Sequence, residues 1–132
     1  MVNLTDEVKE SLKGVDTIYL ATSSSDGIPN VAPMGAFWLM DDERLIISDQ
    51  FMNKTLANVK SNPHAAISYW GSKGGFQIKG LISVHTDDQV FKENVEWMKA
   101  HIPRLTPKSA LLMKITDVFA IKPGTEPGKK IL

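Results

Sequence analysis

The hydrophobic positions of this chain repeat in two ways, one typical of helices and the other of strands. Leu4, Val8 and Leu12 recur at helical spacing near the start of the chain. This repeat predicts a helix over residues 4–13, ended by Gly14. Short runs rich in β-branched and aromatic residues predict strands, which span residues 16–23, 30–40, 44–48, 64–70, 76–85 and 111–121.

Two further helices are predicted between these strands. One begins near Asn53 and ends before Pro63, because a proline disfavours continuation of a helix. The other spans residues 86 to about 100, and its first four residues, T-D-D-Q, have the spacing of a capping box.

The order of these elements indicates the fold class. Strands follow strands, with Asp26 and Gly27 in a turn of hairpin length, instead of alternating with helices. The pattern therefore predicts a mainly β fold with peripheral α-helices, an antiparallel barrel of six strands and about three helices. The length predicts one domain over residues 1–132, with a loosely held tail from about residue 123.

Composition excludes several kinds of chemistry. Because the chain has no cysteine, it has no disulfide, thiolate nucleophile, zinc–thiolate centre or iron–sulfur cluster. The 15 basic and 15 acidic residues balance without a block of like charge, which argues against a nucleic-acid partner. The 3 histidines lack metal-ligand spacing, so no metal site is predicted. Without a long apolar run or a signal-peptide core, a cytoplasmic protein with no membrane partner is expected.

The segment S-D-Q-F-M-N-K-T-L-A-N-V-K, residues 48–60, changes from strand to helix. Free N–H groups at the helix start, with Lys54 and Thr55 beside them, suit an anion such as a cofactor phosphate. The alternative is that Asn53 caps an ordinary helix while Lys54 is solvated. The local sequence leaves both interpretations open.

Other strand segments could also face a ligand. Pro33 and Gly35 interrupt a predicted strand, which either frees backbone groups for a planar ligand or marks a plain bulge. Gln77 offers a donor and an acceptor to a ligand or to solvent. Trp70 could stack on a ligand, mark a subunit interface or pack in the core.

The order of four segments resembles that of the FMN-binding split β-barrel family related to pyridoxamine 5′-phosphate oxidase, over about residues 4–121. These segments are N-V-A-P-M-G, R-L-I-I-S-D, M-N-K-T-L-A-N-V and G-F-Q-I-K-G. The resemblance implies homodimers that hold FMN non-covalently in clefts between the subunits. The cofactor-binding residues that it implies are Pro33, Met34, Gly35, Ser48, Asp49, Phe51, Asn53, Lys54, Thr55, Trp70 and Gln77.

The resemblance also implies a role for each of these positions. Lys54 and Thr55 match the site of the FMN phosphate, with Asn53 beside them. Residues 33–35 match the strand along the isoalloxazine ring, and Ser48, Asp49 and Phe51 match the strand end and loop near the ring and ribityl chain.

Two positions are implied to act across a subunit interface. Gln77 matches a strand position that approaches the flavin from the neighbouring subunit, and Trp70 flanks that region.

The resemblance implies flavin redox chemistry, and an FMN-dependent oxidoreductase with a small-molecule or protein redox partner is expected. No catalytic residue is assigned. The alternatives are a flavin-binding electron carrier or sensor, or a split barrel that binds deazaflavin F420 or haem. The tail P-G-T-E-P-G-K-K-I-L lacks the arginine motif with which pyridoxamine 5′-phosphate oxidases bind the substrate phosphate, which argues against that activity.

Overall fold

The computed structural model describes residues 2–124 and 126–132, which form three helices and one seven-stranded sheet within those ranges. The helices are α1 (Asp6–Lys13), α2 (Lys54–Ser61) and α3 (Gln89–His101). The strands are β1 (Ile18–Ser23), β2 (Pro29–Met34), β3 (Phe37–Leu39), β4 (Arg44–Asp49), β5 (His64–Ser68), β6 (Phe76–His85) and β7 (Ser109–Ala120). The predicted mainly β fold with about three helices is confirmed.

The sheet is antiparallel throughout and curls into a barrel. Its strand order is β2-β1-β5-β6-β7-β4-β3, so β2 and β3 are its two edges although they follow each other in the chain. Three Cα steps separate Met34 from Phe37, which limits their Cα distance to about 11 Å. A flat sheet of seven strands would hold its edges about 29 Å apart. The short link therefore requires the sheet to curl until its edges meet.

The strand count differs from the predicted six because one predicted strand is two. Residues 30–40 pair with β1 up to Met34 and with β4 from Phe37. Gly35 and Ala36 lie outside both ladders, and the Ala36 carbonyl accepts a hydrogen bond from the Ser48 N–H at 2.9 Å. The interruption that the sequence indicated at this point is thus a change from one barrel edge to the other.

The barrel interior holds the main hydrophobic core. Alternate strand residues point inward, and buried examples are Ile18, Leu20, Leu45, Ile67, Ile78, Leu111 and Met113. A second cluster, with Ile46, Ala110 and Leu112, lies on the outer face of β4 and β7, where Val90 of α3 packs against it. Because α3 lies against β7, β4 is buried on both faces. The outer face of β2, β1 and β5 has no such cover within the described residues.

Helix α1 closes one end of the barrel. Thr5 caps it, and its buried Val8 and Leu12 join the main core. The Ser11 hydroxyl lies 2.8 Å from the hydroxyl of buried Tyr69, which follows β5. None of the helices in the described ranges has both the length and the apolar character needed to cross a membrane.

The start of α3 differs from the predicted capping box. The helix begins at Gln89, and its cap is Asp88, whose Oδ1 accepts a hydrogen bond from the Phe91 N–H at 3.1 Å. The other carboxylate oxygen of Asp88 lies 2.5 Å from Nδ1 of His85. A carboxylate that binds both groups fixes the helix cap at Asp88, two residues after Thr86.

The end of the tail lies against β7. The Val118 carbonyl accepts from the Ile131 N–H at 2.8 Å, and the Ala120 N–H donates to the Lys129 carbonyl at 2.8 Å. Lys130 also forms an ion pair with Asp117 at 2.8 Å. These contacts place residues 129–132 beside the last strand.

Candidate functional site

A cavity of about 580 Å³ lies where the two edges of the barrel meet. Four segments line it: the strand β2 with its link to β3, the end of β4, the start of α2, and the loop after α3. The lining residues are 30–36, 48, 50–55, 102, 104 and 105. The curled sheet thus brings together positions that are up to 75 residues apart in the chain, from Asn30 to Leu105.

The start of α2 forms one wall of this cavity without a side-chain cap. Asn53 is at the cap position, but its side chain makes no capping hydrogen bond, and its backbone (φ −129°, ψ −79°) is not extended. The first turn has no acidic residue, and exposed Lys54 stands at its start. The interpretation of Asn53 as an ordinary side-chain cap is therefore wrong. The first-turn N–H groups and Lys54 together suit an anion.

A polar cluster anchors this helix start to the sheet. Buried Thr55 accepts a hydrogen bond at Oγ1 from Nδ2 of Asn30 at 3.1 Å. Asn30 Nδ2 also lies 3.3 Å from Oγ1 of Thr22, which accepts from Asn58 Nδ2 at 3.1 Å. Because Thr55 Oγ1 already accepts from Asn30, its hydroxyl proton remains available to a ligand.

The end of β4 supplies the next part of the wall. Ser48 lines the cavity, and Phe51 at its rim is 82% exposed. Asp49 does not line the cavity, because its buried carboxylate holds the turn together. Its Oδ1 accepts from the Met52 N–H at 2.9 Å, and its Oδ2 accepts from the Ser109 hydroxyl at 2.8 Å.

The opposite wall is the edge strand β2 and the link that follows it. Pro33, Met34 and Gly35 all line the cavity. Because β2 pairs on one side only, part of its backbone is free to bond a ligand, and an edge strand also tolerates Pro33. No protein atom crowds the missing side chain of Gly35, since the nearest to an added Cβ is the Asp16 carbonyl oxygen at 3.8 Å.

Trp70 and Gln77 lie away from this cavity in the same chain. Trp70, which is 56% exposed, follows β5 in the connection to β6. Gln77 pairs with Ser68, which pairs with Tyr19, which pairs with Pro33. Paired residues point to the same side of a sheet, so Gln77 shares the outer face of the barrel with Pro33.

Comparison with known proteins identifies the family. The sequence profile described as pyridoxamine 5′-phosphate oxidase matches residues 4–122. The chain belongs to the pyridoxamine 5′-phosphate oxidase family. A relative from Methanocaldococcus jannaschii, "Uncharacterized protein MJ0282", is 39% identical over 99% of this chain and 89% of its own length.

Solved structures of other proteins share this fold. HupZ of Group A Streptococcus superposes with a TM-score of 0.82 at 21% identity, over 97% of this chain and all of its own. An FMN-binding protein from Syntrophomonas wolfei superposes with a TM-score of 0.70 at 16% identity, over 91% of this chain and 87% of its own. At these identities the likeness concerns the fold alone.

Three polar residues of the family member's cavity were not predicted from the sequence: Asn30, Gln50 and Arg104. Arg104 lies in the loop after α3. Further along this loop, the Lys108 N–H donates a hydrogen bond to the Asp49 carbonyl at 2.7 Å. A contact between such distant segments leaves no local signal. Among the described residues that line the cavity, Lys54 and Arg104 carry the charges, and both are positive.

Proposed function

We propose that this protein binds FMN non-covalently in the cavity between the barrel edges and acts as an FMN-dependent oxidoreductase. The observation that carries the proposal is the start of α2, where Lys54 and a first turn without a side-chain cap face a cavity that has no acidic lining residue among those described. A volume of about 580 Å³ lies within the usual range for cofactor sites.

The lining residues suit the two ends of FMN. Lys54, the Thr55 hydroxyl and the first-turn N–H groups of α2 would hold the phosphate. The free backbone of residues 33–35 would bond the polar edge of the ring. The bound flavin would supply reversible uptake and release of electrons, while the protein orients it and limits the access of water.

The tail does not favour oxidation of pyridoxamine phosphate. Lys129 pairs with Glu126 at 3.0 Å, and Lys130 pairs with Asp117 at 2.8 Å. Both tail cations thus have partners within the tail or on β7, and neither lines the cavity. The proposal therefore leaves the substrate open and does not assign the reaction in the family's name.

A homodimer is part of the proposal. Tyr19 and Val31 are 51% and 66% exposed on the outer face of β1 and β2, which is the face that Gln77 and Pro33 share. A two-fold dimer through this face would place the same surface of each copy against the other. Such packing could bring Gln77 and Trp70 of one copy to the cavity of the other.

The test is FMN binding by the purified full chain. We expect flavin absorbance in the protein as isolated, or quenching of flavin fluorescence when FMN is added. Lys54→Ala should weaken FMN binding by about 1–3 kcal/mol, because a charged hydrogen-bond partner of the phosphate is lost. Lys60→Ala, at the other end of α2, is the matched control and should leave the affinity unchanged.

Different outcomes would contradict different parts of the proposal. A wild-type protein that neither carries nor takes up FMN would overturn it. Equal affinities of Lys54→Ala and Lys60→Ala would remove Lys54 from the phosphate site. An absorption spectrum typical of a deazaflavin or of haem would replace FMN by that group. FMN binding without flavin-dependent NAD(P)H oxidation would favour an electron carrier or sensor.

A further inference from the structure

A chain of three side-chain hydrogen bonds leads from the outside of the barrel to the cavity. The indole N–H of Trp38, on β3, donates to Oδ1 of Asn94, on α3, at 3.0 Å. Nδ2 of Asn94 donates to Oγ of Ser48, at the end of β4, at 2.8 Å. The Ser48 hydroxyl in turn donates to Oε1 of Gln50, which lines the cavity beside it.

The Trp38 indole determines which atom of the Asn94 amide accepts and which donates. An indole N–H can only donate, so the Asn94 atom that faces Trp38 must be the carbonyl oxygen. The amide nitrogen of Asn94 must then face Ser48, and Ser48 Oγ accepts from it. The Trp38 N–H thus sets the direction of the hydrogen bond from Asn94 to Ser48.

The orientation of Gln50 follows from the burial of Ser48. Ser48 is 3% exposed, and among the described residues its hydroxyl proton has no acceptor other than Gln50 Oε1. If the Gln50 amide were reversed, two N–H donors would face Ser48 Oγ and the buried hydroxyl proton would lose its acceptor. An unsatisfied buried donor is costly, so Gln50 keeps its oxygen toward Ser48.

These hydrogen-bonded side chains are also held rigidly. Asn94 is fully buried, and its two amide atoms both make hydrogen bonds. The ring of Trp38 stacks on that of Trp97, also on α3, with centroids 6.0 Å apart and planes 13° apart. Because both ends of the Asn94 amide are engaged in a buried setting, it cannot rotate without the loss of hydrogen bonds.

We propose that Gln50 is a fixed hydrogen-bond donor of the cofactor site, presenting Nε2 to an acceptor atom of the flavin ring system. Asn94 and Trp38 are positioning residues that act through Ser48 and Gln50. Nε2 of Gln50 makes no hydrogen bond to the described residues, so it remains for a ligand. The inference rests on the proposed FMN site and adds to it a residue that tunes the flavin.

A donor at the ring has a thermodynamic signature. Reduction makes the ring more electron-rich, so a hydrogen-bond donor stabilises reduced FMN more than oxidised FMN. Loss of this donor should therefore lower the midpoint potential of bound FMN, and it should weaken FMN binding about tenfold, as expected for one hydrogen bond.

The experiment measures FMN affinity and the midpoint potential of bound FMN in the full-length protein. The variants are Gln50→Leu, Asn94→Leu and the double variant, with Gln89→Leu on the exposed start of α3 as the matched control. We expect Gln50→Leu and Asn94→Leu to lower both the FMN affinity and the midpoint potential of bound FMN. The double variant should match Gln50→Leu, because Asn94 acts only through Gln50. Gln89→Leu should match the wild type.

Trp38→Phe provides a second route if Asn94→Leu does not fold. It keeps an aromatic ring for stacking on Trp97 and removes only the N–H that orients the Asn94 amide. It should lower the potential in the wild-type background and have no effect in the Gln50→Leu background.

The outcomes separate the inference from the function on which it rests. Wild-type protein that binds no FMN would overturn both. If the wild type binds FMN, two results would overturn the inference alone. One is a Gln50→Leu potential equal to that of Gln89→Leu. The other is an effect of Asn94→Leu or Trp38→Phe that simply adds to that of Gln50→Leu.

Discussion

At the scale of single residues, neighbours in the fold determine what each side chain does. Asp49 follows Ser48 directly, yet Ser48 faces the cavity while buried Asp49 holds the 49–52 turn. Gly35 and Gly80 also differ. An added Cβ at Gly80 would lie 2.4 Å from the Lys114 carbonyl oxygen, at the bulge of β6, whereas Gly35 has free space. Gly80 is thus required for close packing of β6 on β7, whereas Gly35 borders the cavity.

The two glycines predict opposite effects of substitution by alanine. Gly80→Ala should destabilise the fold by about 1–3 kcal/mol, because the added methyl group overlaps the neighbouring strand. Gly35→Ala should keep the stability but weaken FMN binding, because the methyl group narrows the cavity. Chemical denaturation and FMN titration of both variants test this. Unchanged FMN affinity of Gly35→Ala would show that the flavin does not approach Gly35.

The buried hydroxyl of Tyr69 predicts a dependence of stability on alkaline pH. Burial raises the pKa of Tyr69 from 10.0 to about 12, while the hydrogen bond with Ser11 acts in the opposite direction. Because the folded pKa is the higher one, this contribution is complete below pH 10.0 and is lost as the pH rises toward 12.

Tyr69→Phe provides the matched comparison. It should cost about 1 kcal/mol at neutral pH, since Ser11 Oγ keeps its bond to the Val8 carbonyl. The stability difference between wild type and Tyr69→Phe should shrink above pH 10 in denaturation experiments. A constant difference up to pH 12 would contradict the role of burial.

At the scale of elements, the two helices that flank the cavity start differently. Helix α3 has a carboxylate cap at Asp88, whereas Asn53, at the cap position of α2, makes no side-chain capping bond. A side-chain cap satisfies one of the free N–H groups of the first turn, whereas an uncapped start leaves that group for solvent or a ligand. This contrast supports the proposal that the start of α2 binds the ligand, while the capped start of α3 stabilises the fold.

The cap of α3 predicts a second dependence on pH, at the acidic end. The hydrogen bond from His85 and then that from the Phe91 N–H lower the pKa of Asp88 below 3.8. The contribution of Asp88 is therefore complete above pH 3.8 and is lost as the pH falls through the lowered value. Asp88→Ala should lower the melting temperature by roughly 2–4 °C at neutral pH.

Asp88→Asn separates the two bonds of that carboxylate. An asparagine can still accept from the Phe91 N–H but loses the charge beside His85. It should therefore melt between the wild type and Asp88→Ala. If Asp88→Ala melted like the wild type, Asp88 would not be the residue that stabilises the start of α3.

At the scale of the whole molecule, charge and apolar surface are unevenly distributed. The chain has no net charge, with 15 basic and 15 acidic residues, yet the charged residues of the cavity lining are the cations Lys54 and Arg104. The outer face is likewise uneven, because α3 covers β4 and β7 while Tyr19 and Val31 stay exposed. An anionic ligand and a second copy of the chain are the partners that these two features favour.

The exposed face predicts a variant that separates the subunits. Tyr19 is not a lining residue of the cavity, and Tyr19→Glu places a charge in the proposed interface, so it should shift the protein from dimer to monomer. FMN binding should weaken with it if Gln77 and Trp70 act across the interface. Ile28→Glu, at an exposed residue of the loop between β1 and β2, is the control. Sedimentation measures the mass, and a monomeric wild type that binds FMN fully would contradict the dimer.

The sequence by itself determined the features that depend on neighbours in the chain. Alternation of apolar residues located the strands, and β6 runs over residues 76–85 as predicted, because that pattern is local. The strand-to-helix change at residues 48–60 also marked the helix start that now faces the cavity. Those signals were sufficient for the fold class and for three of the four segments that line the cavity.

Only the tertiary structure decided what depends on distant segments. It divided residues 30–40 between two barrel edges, because closure of the sheet is a property of all seven strands. The fold places Arg104 in the cavity lining. It also makes Asp88 the cap of α3, because His85 lies beside its carboxylate. It also revealed the path from Trp38 through Asn94 to Gln50, which joins three elements. A hydrogen bond between residues 46 positions apart leaves no periodic trace in a sequence, so only the folded chain determines it.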